Sequence, residues 1–183
     1  MSEIAVITGG TSGIGRATAL YLREAGYTVY ELSRREQGVE GLHHIRCDIT
    51  DEDQVRAAVA EIMDRAGRID VLVNNAQASA SGVTLADHTT DQFDLAIYSG
   101  LYATFYYMQA CYPYLKETKG SVINFASGAG LFGNFGQCAY AAAKEGIRGL
   151  TRVAATEWGR DHINVNIVCP LAWTAQLENF KNA

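Results

Sequence analysis

Proline is almost missing from this chain: Pro113 and Pro170 are the two in 183 residues. A sequence so poor in proline is neither a proline-rich linker nor a polyproline ligand. Positive charge is also in deficit, with fifteen Lys and Arg against twenty Asp and Glu and a formal net charge of −5. Duplex binding needs a concentrated basic surface to displace counterions, so the charge balance argues against nucleic acid as a partner. The one basic cluster, Arg34-Arg35, suits a single phosphate better than a polymer. Cysteines are few and scattered (Cys47, Cys111, Cys138, Cys169), without a Cys-x-x-Cys pair, which favours buried free thiols over disulfides. The histidines His43, His44, His88 and His162 have no metal-ligand spacing, so no metal site is expected. Long apolar runs are lacking too. The amino-terminal apolar stretch has no basic segment before it and stops at Gly9-Gly10, unlike a signal peptide. Residues 101–115 carry Thr104 and Gln109 and are too short to span about 30 Å of hydrocarbon. The expectation is a cytoplasmic protein with no membrane partner.

What is present is a sufficient core, 48% hydrophobic residues with 18 glycines, arranged as apolar runs alternating with helical patterns. Residues 4–8, 27–32, 42–46, 69–74, 121–126 and 163–169 read as strands. Residues 13–26, 51–66, 90–97, 100–117 and 137–159 read as helices. In the second helix Thr50 is a candidate N-cap, and Val55, Val59 and Ile62 share a face. Strands this apolar need cover on both faces, and the alternating helices supply it. The expected fold is therefore α/β, a doubly wound parallel sheet with helices on both faces. No repeat or linker divides the chain, so residues 1–183 read as a single domain. In 100–117, Leu101, Phe105, Met108, Tyr112 and Leu115 form one stripe, and Tyr98, Tyr102 and Tyr106 form a second beside it. The second stripe is either a wide core contact or a subunit interface.

The first strand runs into Thr8-Gly9-Gly10-Thr11-Ser12-Gly13-Ile14-Gly15, where a helix begins. Glycines let the backbone turn sharply there, and the helix start offers unpaired N–H groups to a pyrophosphate. Tight turns also need glycine for structural reasons, but the strand–turn–helix setting favours a dinucleotide. Tyr140 and Lys144 lie four apart on the long helix, hence on one face. A phenol titrates near 10, and a nearby ammonium in a partly dry pocket can bring it into catalytic range. Such a pair alone is usually a surface coincidence. Ser127, just past the fifth strand at the ligand-binding edge of the sheet, strengthens the functional alternative.

These segments together resemble the short-chain dehydrogenase/reductase family over nearly the whole chain. TGGTSGIG is similar to its TGxxxGxG nucleotide loop, Val73-Asn74-Asn75-Ala76 to the start of its NNAG signature, and Ser127 with Tyr140-Ala141-Ala142-Ala143-Lys144 to its serine and YxxxK. The resemblance implies a Rossmann-like strand order 3-2-1-4-5-6 and hydride transfer between a nicotinamide and a small carbonyl or alcohol. It implies that Tyr140 is the general acid/base, that Ser127 orients the substrate oxygen, and that Lys144 lowers the Tyr140 pKa and holds ribose hydroxyls. Gly9, Thr11, Ser12, Gly13, Ile14, Gly15, Ala76, Tyr140, Lys144 and Pro170 would then line the cofactor. At the end of the second strand Ser33, Arg34 and Arg35 stand where a carboxylate would grip the adenosine 2′-hydroxyl of NAD. NADP is therefore expected, with NAD the lesser alternative and a solvated loop the bland one. Asp48-Ile49 would border the adenine or simply make a turn, and Asn74 would touch cofactor or brace strands. A homodimer or homotetramer is expected.

The chain departs from the family pattern in four places. Gln77 replaces the signature glycine, which would set a bulky amide beside the cofactor. Gly100 stands at the position of the family asparagine that helps hold a water linking the lysine to solvent. Proton exchange would then be slower or use a neighbour such as Ser99. Pro170-Leu171 replaces Pro-Gly, with Thr174 a loose match for the threonine beyond. The C-terminal lid and seventh strand of the family have no counterpart here, which suggests a truncated sequence. Phe132, Phe135 and Trp173 suggest an apolar substrate or core packing. These departures leave a second possibility, a cofactor-binding pseudoenzyme or regulatory interaction protein of the same fold.

Overall fold

The computed structural model describes residues 2–172. Strands β1 (Ile4–Thr8), β2 (Thr28–Ser33), β3 (His43–Arg46), β4 (Val71–Asn74), β5 (Ser121–Phe125) and β6 (Asn164–Val168) form one sheet in the order β3-β2-β1-β4-β5-β6. All five pairings are parallel. Helices α1 (Gly13–Glu24), α2 (Glu52–Ala66), α3 (Thr90–Ala96), α4 (Ala103–Thr118), α5 (Gly128–Phe132) and α6 (Cys138–Trp158) fill the crossovers.

The sheet is covered on both faces, as its unbroken apolar runs require. Ile4, Val6, Tyr30, Leu32 and Leu72 pack with α2 and α4 residues such as Val55, Ile62, Tyr107 and Leu115. Ala5, Ile7, Val29 and Val73 pack on the other side with Ala19 of α1. Every residue of β1 is buried, and each fully buried Ile or Val stabilises the fold by roughly 1.5–3 kcal/mol relative to exposure. Strand order reverses between β1 and β4, so the connections leaving their carboxyl ends part in opposite directions and open a crevice.

Three expectations need correction. The cap of α2 is Asp51, whose carboxylate accepts the N–H groups of Asp53 and Gln54; the Thr50 hydroxyl is turned back to Asp48. Helix α5 was not legible, because five residues hold no full hydrophobic period. The third correction concerns the phase of α4. A π-helical segment, Ile97–Tyr102, joins α3 directly to α4, so the two helices read from sequence are one continuous rod. A π turn inserts an extra residue and rotates everything after it. The buried stripe of α4 is Thr104, Tyr107, Met108, Cys111 and Leu115, while Phe105 is left 40% exposed. Tyr98, Tyr102 and Tyr106 do form a separate row. Tyr98 and Tyr102 stack at 4.9 Å between ring centroids, and both are about two-fifths exposed (43% and 42%). No helix among the described residues is long and apolar enough to cross a membrane.

Candidate active site

The glycine-rich turn after β1 is built as a cradle. Gly9 has φ +71°, a left-handed conformation that favours glycine, and a Cβ on Gly15 would lie 2.3 Å from the Gly9 carbonyl oxygen. Helix α1 starts at Gly13 after Ser12, whose side chain makes no capping hydrogen bond, so its first N–H groups face outward unsatisfied. Thr8 holds the turn against the β4 loop. Its hydroxyl accepts the N–H groups of Asn75 and Ala76 at 3.0 Å each, and the Asn75 amide donates to the Thr8 carbonyl at 3.0 Å. Asn75 was not singled out from sequence, although it is the second asparagine of the NN pair. At the end of β2 the Ser33 hydroxyl oxygen is buried and has no hydrogen-bond partner among the described residues. Arg34 and Arg35 beyond it are exposed and in no ion pair among those residues. The outward N–H groups at the start of α1 fit the pyrophosphate of a dinucleotide.

Asn74 lies elsewhere. It is buried and donates to Asn124 Oδ1 at 2.9 Å; Asn124 in turn donates to Thr151 Oγ1 at 2.9 Å. The bracing contacts are present: the chain ties β4 to β5 and α6. Asp48 likewise makes a turn, accepting the Thr50 N–H and hydroxyl at 3.0 and 2.8 Å.

Ser127, Tyr140 and Lys144 meet at the carboxyl end of β5. Ser127 is the N-cap of α5, its hydroxyl oxygen accepting the Ala129 N–H at 3.1 Å. Tyr140 and Lys144 occupy the same face of α6, with Lys144 Nζ 5.5 Å from the Tyr140 ring centroid. Burial raises the Tyr140 pKa above that of an ordinary phenol, and the neighbouring Ser127 hydroxyl draws it partly back. The expectation that Lys144 depresses Tyr140 is thus not met. The Lys144 ammonium is buried and donates to the Phe125 carbonyl at 2.7 Å, and the same burial lowers its own pKa to about 8. Arg148, the next residue on that helical face, completes the cluster by donating to the Ser127 carbonyl at 3.4 Å and to Cys169 Sγ at 3.5 Å. It escaped notice, though its i+4 spacing from Lys144 was visible.

A buried ammonium costs stability that an uncharged chain of similar length does not. From 10.5 to about 8 the shift corresponds to on the order of 3 kcal/mol. Between those two values the unfolded state binds more protons than the folded one, so native stability rises with pH across that window. Lys144→Met is expected to melt a few degrees higher than the native chain at pH 7, with the gap closing toward pH 10. A gap independent of pH in paired thermal melts would contradict this.

Two departures from the family pattern turn out to be one feature. A Cβ on Gly100 would lie 2.7 Å from Gln77 Cδ and 2.8 Å from its Nε2. The Gln77 carboxamide therefore fills the room that a side chain at position 100 would take. It is directed at the π segment, with Nε2 3.5 Å from the Ala96 carbonyl. Ser99 is no substitute proton carrier either. Its hydroxyl is buried, 2.6 Å from the Leu95 carbonyl oxygen and 3.0 Å from that of Ala78, and accepts the Ala78 N–H at 2.9 Å.

At the start of α6 an open cleft of about 380 Å³ is lined by Thr84, Leu85, Phe135, Cys138 and Ala141 among others. Phe132 and Phe135 are more than four-fifths exposed at 82% and 81%, which favours the substrate-facing reading over core packing. Trp173 and Thr174 lie outside the described residues.

Residues 3–183 match the family described as short chain dehydrogenase. The chain belongs to the short-chain dehydrogenases. Members of this family are NAD(P)-dependent oxidoreductases, so the chain is an enzyme of that class and not only a binding module. A 12alpha-hydroxysteroid dehydrogenase of Clostridium sp. is 60% identical over 197 aligned positions, covering 98% of this chain and 76% of that protein. A 3-oxoacyl-[acyl-carrier-protein] reductase of Thermotoga maritima is 35% identical, covering 92% and 73%. The crystal structure of a levodione reductase matches with a TM-score of 0.92 at 34% identity, covering 97% of this chain and 74% of that one.

Proposed function

We propose that this short-chain dehydrogenase is an NADP-dependent enzyme that interconverts a ketone and a secondary alcohol on a hydroxysteroid, with the 12α position the first to test. The observation that carries the chemistry is the meeting of the Ser127 and Tyr140 hydroxyls at the end of β5, over a buried Lys144. The substrate class is supported by the 60% identical hydroxysteroid dehydrogenase and by the exposed Phe135 that lines the cleft.

When bound, the nicotinamide supplies a hydride to the carbonyl carbon or takes one from the carbinol. The chain supplies the rest. Burial keeps Tyr140 protonated at neutral pH, which is the form that gives its proton to the carbonyl oxygen. Ser127 hydrogen-bonds that oxygen and fixes its place, held by its own bond to the Ala129 N–H. Lys144, titrating at about 8, can pass a proton to the tyrosinate and recover one from solvent. The turn of Gly9, Thr11, Ser12, Gly13, Ile14 and Gly15 would take the pyrophosphate, with Ala76 and Pro170 along the crevice, Ile49 beside the adenine, and Ser33, Arg34 and Arg35 at the 2′-phosphate. Unpaired Cys47, Cys111, Cys138 and Cys169 support a reducing setting, the cytoplasm. The half-exposed row of Tyr98, Tyr102 and Phe105 supports a homodimer or homotetramer.

The test is turnover of a panel of hydroxy- and oxosteroids with NADP(H) and NAD(H). Steroid turnover with NADP(H) supports the proposal; turnover confined to short aliphatic carbonyls removes the substrate class. Arg34→Ala is expected to weaken NADPH roughly ten-fold or more while leaving NADH nearly unchanged, since one charge-assisted contact to phosphate is lost. Equal losses in fluorescence titrations of the two would overturn NADP.

A further inference from the structure

Glu31 is a carboxylate at the centre of the fold, fully buried at 0% exposure on β2. Nothing in the catalytic chemistry uses it. Its position is set by two close approaches. A Cβ on Gly10 would fall 2.6 Å from Glu31 Cβ, so the glycine-rich turn rests directly on this side chain. A Cβ on Gly38 would fall 2.8 Å from Glu31 Oε1 and 2.4 Å from His44 Cβ, so the far end of the arginine loop closes over both residues. His44 is the register partner of Glu31 on β3. Its Nδ1 is 2.5 Å from Glu31 Oε1, and its Nε2 is 3.0 Å from the Arg35 carbonyl oxygen.

The proton count follows from these partners. A carbonyl only accepts, so Nε2 carries a hydrogen and donates it to Arg35. The Nδ1–Oε1 contact then holds one proton between imidazole and carboxylate. Glu31 and His44 together carry no net charge, although the carboxylate lies beneath a loop built for phosphate. Burial pushes the Glu31 pKa up, and the His44 contact draws it back, in keeping with a shared proton.

We propose that the Glu31–His44 pair positions the arginine loop and makes His44 a specificity-determining residue for the 2′-phosphorylated cofactor. The imidazole fixes the Arg35 backbone, and it cancels a buried negative charge that would otherwise repel the phosphate. This inference rests on the assignment of Arg34 and Arg35 to that phosphate. His44 touches no reacting atom, so the effect is confined to cofactor choice.

The experiment titrates NADPH and NADH against the full chain and its variants. His44→Leu removes both contacts and is expected to weaken NADPH roughly ten-fold, with NADH within about two-fold. His44→Gln retains an amide donor toward Arg35 and is expected to recover most of the loss. Should His44→Leu not fold, His44→Asn keeps a polar contact to Glu31, cannot reach Arg35, and is expected to show the same selective loss. Equal weakening of both cofactors, or no weakening in either, overturns the inference. An Arg34→Ala/Arg35→Ala double variant separates the two levels. If it abolishes NADPH preference while the His44 variants keep it, the pair is structural only; if it changes nothing, the phosphate assignment itself fails.

Discussion

Tyr140→Phe is expected to lose roughly 10²–10⁴-fold in turnover, the usual contribution of a positioned proton donor, while keeping its fold and cofactor affinity. The substitution removes one oxygen and leaves the ring, so the packing of α6 on the site is preserved. NADPH titration should give a dissociation constant within about two-fold of the native value, because the loss falls on a transition-state interaction rather than on binding. The pH profile adds a second readout. With burial raising the Tyr140 pKa, the protonated phenol predominates at neutral pH, and reduction should slow as pH rises, first through the Lys144 titration at about 8 and then toward that of Tyr140. Oxidation, which needs the proton acceptor, should quicken over the same range. The residual activity of Tyr140→Phe should have lost that dependence. Undiminished turnover in Tyr140→Phe, or a native profile of the opposite slope, would remove Tyr140 from the chemistry.

The parts of this molecule written in local pattern were legible. β1 is a continuous apolar run because it is buried on both faces, and the parallel order of the sheet follows from such strands alternating with helices. The glycine turn and the Ser127, Tyr140 and Lys144 set were visible because turn geometry and helical spacing are local properties. What could not be read depends on through-space partners. The lysine's charge was expected to act on Tyr140, but the Phe125 carbonyl, distant in sequence, engages it. The face of α4 was misjudged because Tyr107 and Phe105 are both aromatic and could each face the core; tertiary packing turns Tyr107 inward and Phe105 outward. Asn124 carried a faint signal as an amide inside an apolar strand. Its link between Asn74 and Thr151 needed the tertiary structure.

The pair Gln77 and Gly100 illustrates the same point with the largest expected coupling. Read singly, each is a defect in the family pattern; in space they are complementary, one filling the volume the other vacates. Gly100→Asn alone should force the Gln77 carboxamide out toward the crevice, and overpacking of this kind costs about 1–3 kcal/mol. Gln77→Gly alone should leave a void against the π segment and remove the carboxamide from the site wall, with a smaller loss of stability and a clear loss of turnover. The double variant Gln77→Gly/Gly100→Asn returns an amide to the same space from the opposite wall. It should melt close to the native chain and recover much of the activity, a coupling of roughly 1–3 kcal/mol in the thermal cycle. Losses that simply add, in melting and in turnover, would mean that the two positions are independent and that the carboxamide has no part in the reaction. If the melts couple and the activity does not, the carboxamide only fills space.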